Sequence, residues 1–186
     1  MSDELQLTFL SGFRPAWAGE LRRRAGEVLG LPVRSVQLDL DLRTFHAPER
    51  EQYHATLMLA ELLRHLPPTG GRIVGITDVD LYIPVLTFVF GQAQLGGPGA
   101  VVSVMRLHNE YYGLPPDESL LVDRAVKEVV HEVGHGLGLV HCPDYRCVMS
   151  SSTYVEDVDL KSERFCPSCR ALAAEGIRER RRAAGS

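Results

Sequence analysis

Apolar and polar positions alternate, then recur at helical spacing, then alternate again along the first two thirds of this chain. Leu5 to Leu10 alternates and predicts a first strand. Ala16 to Leu29 places Trp17, Leu21, Ala25, Val28 and Leu29 on one side of a helix, with Arg22, Arg23 and Arg24 outward. Val33 to Leu42 sets Val36, Leu38, Leu40 and Leu42 against Gln37, Asp39 and Asp41, a second strand. Glu49 to Leu66 carries Leu57, Leu59, Leu62, Leu63 and Leu66 and predicts a helix stopped by Pro67-Pro68 and Gly70-Gly71. Arg72 to Thr77 is a short buried strand. Phe88 to Gln94 and Ala100 to Leu107 are two more, joined through Gly96-Gly97-Pro98-Gly99. A long helix begins at Asp117 or Glu118 and runs to Gly138, burying Leu121, Ala125, Val129, Val130, Val133 and Leu137. A final helix runs from about Pro167 to Arg182. The order βαβαβββ followed by a long helix fits an α+β chain with a mixed sheet and helices behind it.

Composition narrows the picture. At 186 residues, 45% apolar and 24% charged, the chain reads as one domain with a real core. A formal charge of −4 argues against a strongly basic nucleic-acid binder. No apolar run approaches the roughly 20 residues a bilayer span needs, so neither nucleic acid nor membrane is an expected partner. Met1-Ser2-Asp3-Glu4 lacks the basic-then-apolar pattern of a secretory leader, which points to the cytoplasm. The Arg178 to Arg182 run reads as a solvated helix end, or as a contact for an acidic partner. Oligomeric state is not legible.

The chemistry is concentrated in His131-Glu132-Val133-Gly134-His135-Gly136-Leu137-Gly138-Leu139-Val140-His141. His131 and His135 are four apart, so their rings lie one above the other on a helix face. Zinc at about 2.0–2.1 Å from each nitrogen fits that gap. Gly138 lets the chain leave the helix through the left-handed region and swing His141 to the same ion. Three nitrogens leave a fourth tetrahedral position for water, the mark of a catalytic zinc. Glu132 is placed to act on that water as general base.

Cys142, Cys147, Cys166 and Cys169 are all the cysteines in the chain. Cys166-Pro167-Ser168-Cys169 has the Cys-x-x-Cys spacing of a zinc knuckle, and Cys142 with Cys147 supplies a second pair. Four thiolates make a closed structural site, so the expectation is two zinc ions per chain. Two disulfides are the alternative, disfavoured in a reducing compartment. A redox Cys-x-x-Cys is another, though no thioredoxin-like strand precedes it.

His131 to His141, then Cys142, Cys147, Met149, Cys166 and Cys169, resemble the archaemetzincin family of zinc metallopeptidases. Ile76 to Tyr82 and Phe88 to Gly91 resemble the family's central segment. The spacing from Met149 to Cys166 departs from the usual one by about one residue, a loop adjustment. The resemblance implies a compact metzincin-like fold: a mixed twisted sheet with a backing helix, an active-site helix, and a small zinc-stapled C-terminal subdomain. It implies one metallopeptidase domain over 1–186, with an upper part to about 138 and a lower part from about 139. It implies His131, His135 and His141 on the catalytic zinc, Glu132 as base, and Met149 packed beneath the site.

The substrate would be a peptide or protein lying between the two parts. Val101 to Met105 is a candidate upper rim of that cleft if it is an edge strand, and an internal strand otherwise. Tyr145 and Tyr154 are near the site in sequence and are candidates for a second oxyanion donor or for packing. Asp78 and Asp80 lack the further oxygens of a calcium loop and fit a turn or a supporting role. His46, His54, His65 and His108 have no metal-ligand spacing. The alternative to a peptidase is a zinc-bound interaction module with little turnover. Glu132 argues for the peptidase, since a binding module gains nothing from a carboxylate beside the ion.

Overall fold

The computed structural model describes residues 4–66 and 71–184, with side chains of the last helix described through Glu179. Along the chain run β1 (Leu5–Leu10), α1 (Ala18–Leu29), β2 (Val33–Leu38), β3 (His46–Ala47), β4 (Gln52–His54), α2 (Ala55–Leu63) and β5 (Arg72–Thr77). They are followed by β6 (Leu81–Ile83), β7 (Leu86–Val89), β8 (Gly91–Ala93), β9 (Gly99–Ser103), α3 (Glu118–Gly136), α4 (Val155–Leu160) and α5 (Pro167–Ala184).

The main sheet has the order β2-β1-β5-β9-β8. β2, β1, β5 and β9 are parallel, and β8 runs antiparallel to β9 at one edge. Every residue of β1, β5 and β9 is buried, as expected of parallel strands covered on both faces. Strand alternation divides them between two cores. Leu5, Leu7, Phe9, Val74, Ile76 and Val102 pack with α1 and α3, while Leu10, Ile73 and Val101 pack with α2 on the other face. A second, small sheet has the order β3-β4-β6-β7.

Several sequence expectations shift. Glu49 to His54 is turn and strand, and the helix begins at Ala55. The segment predicted as a strand through Leu42 ends at Leu38, and Leu42–Phe45 is a 3₁₀ turn capped by Asp41. Phe88 to Gln94 is broken at Phe90, its two halves pairing in different sheets. The Pro67, Pro68 and Gly70 stop signals lie outside the described residues. Val101 to Met105 is not an edge: β9 is hydrogen-bonded to β5 on one side and β8 on the other, and Met105 already belongs to a 3₁₀ turn. The edge beside α3 is β8.

Three side-chain networks fasten the C-terminal segments to this scaffold. Arg24 on α1 binds Asp123 on α3 and Glu163 beyond α4. Arg124 is 4% exposed and grips both carboxylate oxygens of Asp159 at 2.7 Å while donating to Leu107 O. Lys127 Nζ donates to Val158 O at 3.0 Å. Together they hold α4 against α3, which fixes where the chain after it can lie. Among the described residues, no helix is long and apolar enough to cross a membrane.

Candidate active site

α3 starts where Asp117 accepts a hydrogen bond from Leu120 N at 2.9 Å, an N-cap that satisfies one orphan donor. It ends in a paired carbonyl capture. Leu139 N donates to Gly134 O and Gly138 N to His135 O, with Gly138 at φ 92°. That is the Schellman arrangement, and the left-handed residue turns the chain back along the helix. The helix end is also held from the sheet side: Arg72 Nη1 donates to Gly136 O at 2.9 Å, and Gly96 N donates to His135 O at 2.9 Å.

The reversal brings three imidazoles together. The ring centroids of His131, His135 and His141 are 4.7, 5.3 and 5.0 Å apart, and one nitrogen from each lies within 4.8 Å of the others. Backbone carbonyls set the tautomers. His131 Nδ1 lies 2.8 Å from Val148 O and His135 Nδ1 lies 2.8 Å from Leu139 O. A carbonyl only accepts, so each Nδ1 carries the proton, which in a neutral ring leaves Nε2 with a lone pair for a metal. Those two Nε2 atoms are 3.1 Å apart. Two lone pairs at that distance repel unless a cation lies between them. Tetrahedral ligands about 2.0–2.1 Å from zinc would be separated by about 3.3 Å, so the donor set fits the ion. Burial pushes the His131 imidazole down to about 4 and also lowers His141, which keeps both neutral as ligands must be.

Glu132 is buried beside them, and burial first, then the nearby Glu128 charge, raise its carboxyl well above the usual range, against the opposing pull of Lys161. A Cβ at position 91 would overlap the Glu132 carboxyl group, so only Gly91 lets β8 approach this closely. Met149 is fully buried beneath the helix, and a Cβ at Gly134 would overlap its Sδ. Met149 thus packs against α3 at Gly134, which lies between His131 and His135 in sequence.

The cysteines also meet. All four are free, and their sulfurs lie within 4.8 Å of one another. Cys142 Sγ and Cys166 Sγ are 3.8 Å apart, close to the edge of a tetrahedron with Zn–S about 2.3 Å and far from a disulfide of about 2.05 Å. Backbone N–H groups of Cys166 and Cys169 point at Cys147 Sγ and Cys166 Sγ at 3.3 and 3.5 Å, the kind of donor that steadies a thiolate.

A cavity of about 540 Å³ opens at the histidines. Its walls come from Ile83 to Leu95 above, from α3, and from Val140, His141, Ser151 to Thr153 and Lys161 below. Other sequence candidates lie elsewhere. Tyr145 and Tyr154 are exposed and do not line it. Asp80 is held by Arg106 through both oxygens, at 2.6 and 2.7 Å, and accepts from Gln52, which matches a supporting role. His46, His54, His65 and His108 join no metal-ligand cluster among the described residues. Glu128 and Lys161 on the cavity wall were not anticipated. Their one signal was that Glu128 precedes Glu132 by one helical turn.

A profile described as peptidase family M54 matches residues 68–174. The chain belongs to this family, the archaemetzincins. It is 43% identical to the archaemetzincin of Methanocaldococcus jannaschii over 158 residues, 84% of this chain and 86% of the relative. The crystal structure of archaemetzincin from Methanopyrus kandleri superposes with a TM-score of 0.83 at 38% identity, covering 95% of this chain and 96% of that one. A zinc-dependent peptidase from Methanocorpusculum labreanum superposes with a TM-score of 0.81 at 30% identity, covering 91% and 99%. The fold class is thus the α+β archaemetzincin architecture, and membership carries the coarse activity of a zinc metallopeptidase.

Proposed function

We propose that this archaemetzincin hydrolyses peptide bonds with His131, His135 and His141 holding a catalytic zinc, Glu132 as general base, and Cys142, Cys147, Cys166 and Cys169 holding a structural zinc. The observation that carries the reading is the meeting of three imidazoles, two with their Nε2 atoms facing at 3.1 Å, beside a buried carboxyl on one cavity wall. Zinc, when bound there, would supply Lewis-acid polarisation of the scissile carbonyl and acidify a water molecule. Glu132 takes a proton as water attacks and returns it to the departing amine. Its burial raises its proton affinity, which suits that exchange. Val148 and Leu139 carbonyls keep the two helical rings in register through the cycle.

β8 supports a peptide partner. It is paired on one side by β9, and its outer edge belongs to the cavity wall, where an extended peptide can add its own backbone hydrogen bonds. The cavity takes its walls from both the upper part, to about residue 138, and the lower part, from about 139, so we place the substrate between two halves of one domain. Four free cysteines gathered for an ion, not paired, favour a reducing, cytoplasmic setting.

The test is a proteome-derived peptide library digested by wild type and Glu132→Ala, with metal content measured in both. Cleavage by the wild type, sensitivity to a chelator, and a metal-replete but inactive variant are expected. A metal-replete wild type that cleaves nothing in the library would favour a zinc-bound interaction module instead.

A further inference from the structure

Two charged residues that line the cavity are not used by the hydrolytic chemistry. Lys161 follows α4, and its side chain is 1% exposed. Its ammonium lies 2.9 Å from Oε1 of Glu128, whose side chain is 4% exposed. Both residues line the same cavity as His131 and Glu132. The charges are neighbours but poorly aligned. Among the described residues Glu128 Oε1 has no well-aligned hydrogen-bond partner, and Lys161 Nζ makes a long contact of 3.5 Å to Ser150 O. An acceptor and a donor thus stand side by side, both under-used, in the lining of a recess that Ile83, Leu86, Phe88 and Phe90 also line.

Resting on the peptidase reading, we propose that this recess is a specificity site for a side-chain carboxamide, glutamine or asparagine, at a residue flanking the scissile bond. The carboxamide oxygen would accept from Lys161 Nζ while its N–H donates to Glu128 Oε1, completing both groups. A carboxylate tip would face the Glu128 charge, and an ammonium tip would face Lys161. An apolar tip would leave the buried pair as poorly satisfied as before. The methylene stem of glutamine matches the apolar walls. Position agrees: Glu128 is one helical turn, about 5–6 Å, from Glu132, the distance of an adjoining side chain from the reacting carbonyl.

The experiment compares peptides carrying Gln, Met, Glu or Lys at each flank of the scissile bond, with zinc-loaded protein. Gln and Met have nearly equal length, so their ratio isolates the polar tip. At one flank Gln should exceed Met in kcat/KM by at least about ten-fold, since a site built for a polar group discriminates against its absence. In the double variant Glu128→Met/Lys161→Met that ratio should fall to about one. The double exchange removes both charges together, which buried pairs tolerate far better than the loss of one. The same four tips on short hydroxamate peptides, measured by equilibrium binding, give the ranking without turnover. A wild type that prefers Met, Glu or Lys, or shows no preference at either flank, overturns the proposal. So does a Gln preference that survives the double exchange. Should the double variant not fold, the wild-type ratios decide alone. Tip-selective binding with no cleavage anywhere would uphold the recess and overturn the peptidase reading.

Discussion

The histidine cluster and the cysteine cluster sit side by side in sequence, at His141 and Cys142, yet they are built by opposite means. The histidines come from one rigid helix and the turn that ends it. Two of the three rings are fixed by regular geometry, and each of those is locked by a backbone carbonyl. The cysteines come from two loop segments and the first turn of α5, parts with little regular structure of their own. The first cluster is held open toward a cavity by scaffold it did not have to create. The second ties its own segments together: Cys142 and Cys147 on one loop meet Cys166 and Cys169 at the start of α5, while the stretch between them is fastened separately through Arg124–Asp159 and Arg24–Glu163. Under the proposed roles, the difference teaches that a catalytic donor set is positioned by a rigid element and left open on one side, whereas a structural one joins segments that have little regular structure of their own.

The sharpest way to break this contrast is Cys166→Ser. It should lower the bound metal by one equivalent and reduce stability by several kcal/mol, given that structural zinc contributes about 10–16 kcal/mol in small zinc-folded peptides. Thermal melting with metal analysis reads it, and an unchanged metal count would erase the distinction between the clusters. Next comes Glu132→Gln. Turnover should fall by about 10²–10⁴-fold while metal content and melting temperature hold, in contrast with the cysteine variant. Third is pH. Burial places the folded His131 at about 4, below the unfolded value of about 6.5. The unfolded chain therefore binds the extra proton first as pH falls. This contribution to metal-free stability is complete above about 6.5 and drains as pH falls from there toward 4. Denaturation of chelated protein across that range checks it. Gly138→Ala is smaller. No heavy atom crowds the position, so only the positive φ resists, at about 1–2 kcal/mol, and the loss should weaken metal affinity at the histidines before the cysteines. Asp117→Ala removes the N-cap of α3 for about 1 kcal/mol and should leave both metal affinities nearly unchanged.

The same contrast explains what the sequence made legible. His131, Glu132, His135 and His141 were readable because helical spacing and one glycine turn dictate where their side chains go. The cysteines were readable from chemistry, since four soft ligands with no other duty have few uses. The long buried strands Leu5–Leu10 and Arg72–Thr77 showed clear apolar character. The second sheet did not, because strands as short as His46–Ala47, Gln52–His54 and Leu81–Ile83 are too brief to display a period. The break at Phe90 was hidden for a related reason. Phe88 to Gln94 reads as one strand, and only tertiary pairing sends its halves to different sheets. That break makes β8, not β9, the cleft rim. Lys161 was missed because Asp159-Leu160-Lys161-Ser162 looks like solvated surface. The Arg124–Asp159 grip turns it inward, and no local pattern announces a contact 35 residues away.

The segment from His141 to Met149 closes on itself, with Cys142 N donating to Met149 O at 2.9 Å and Val148 O meeting the His131 ring. One short loop therefore carries His141 of one cluster and Cys142 and Cys147 of the other, and steadies the His131 ring as well. Whatever tightens the loop for one ion tightens it for the other, and by reciprocity the coupling has the same size in both directions. Titrating metal into stripped protein should thus show cooperative filling, with each ion raising the affinity for its neighbour.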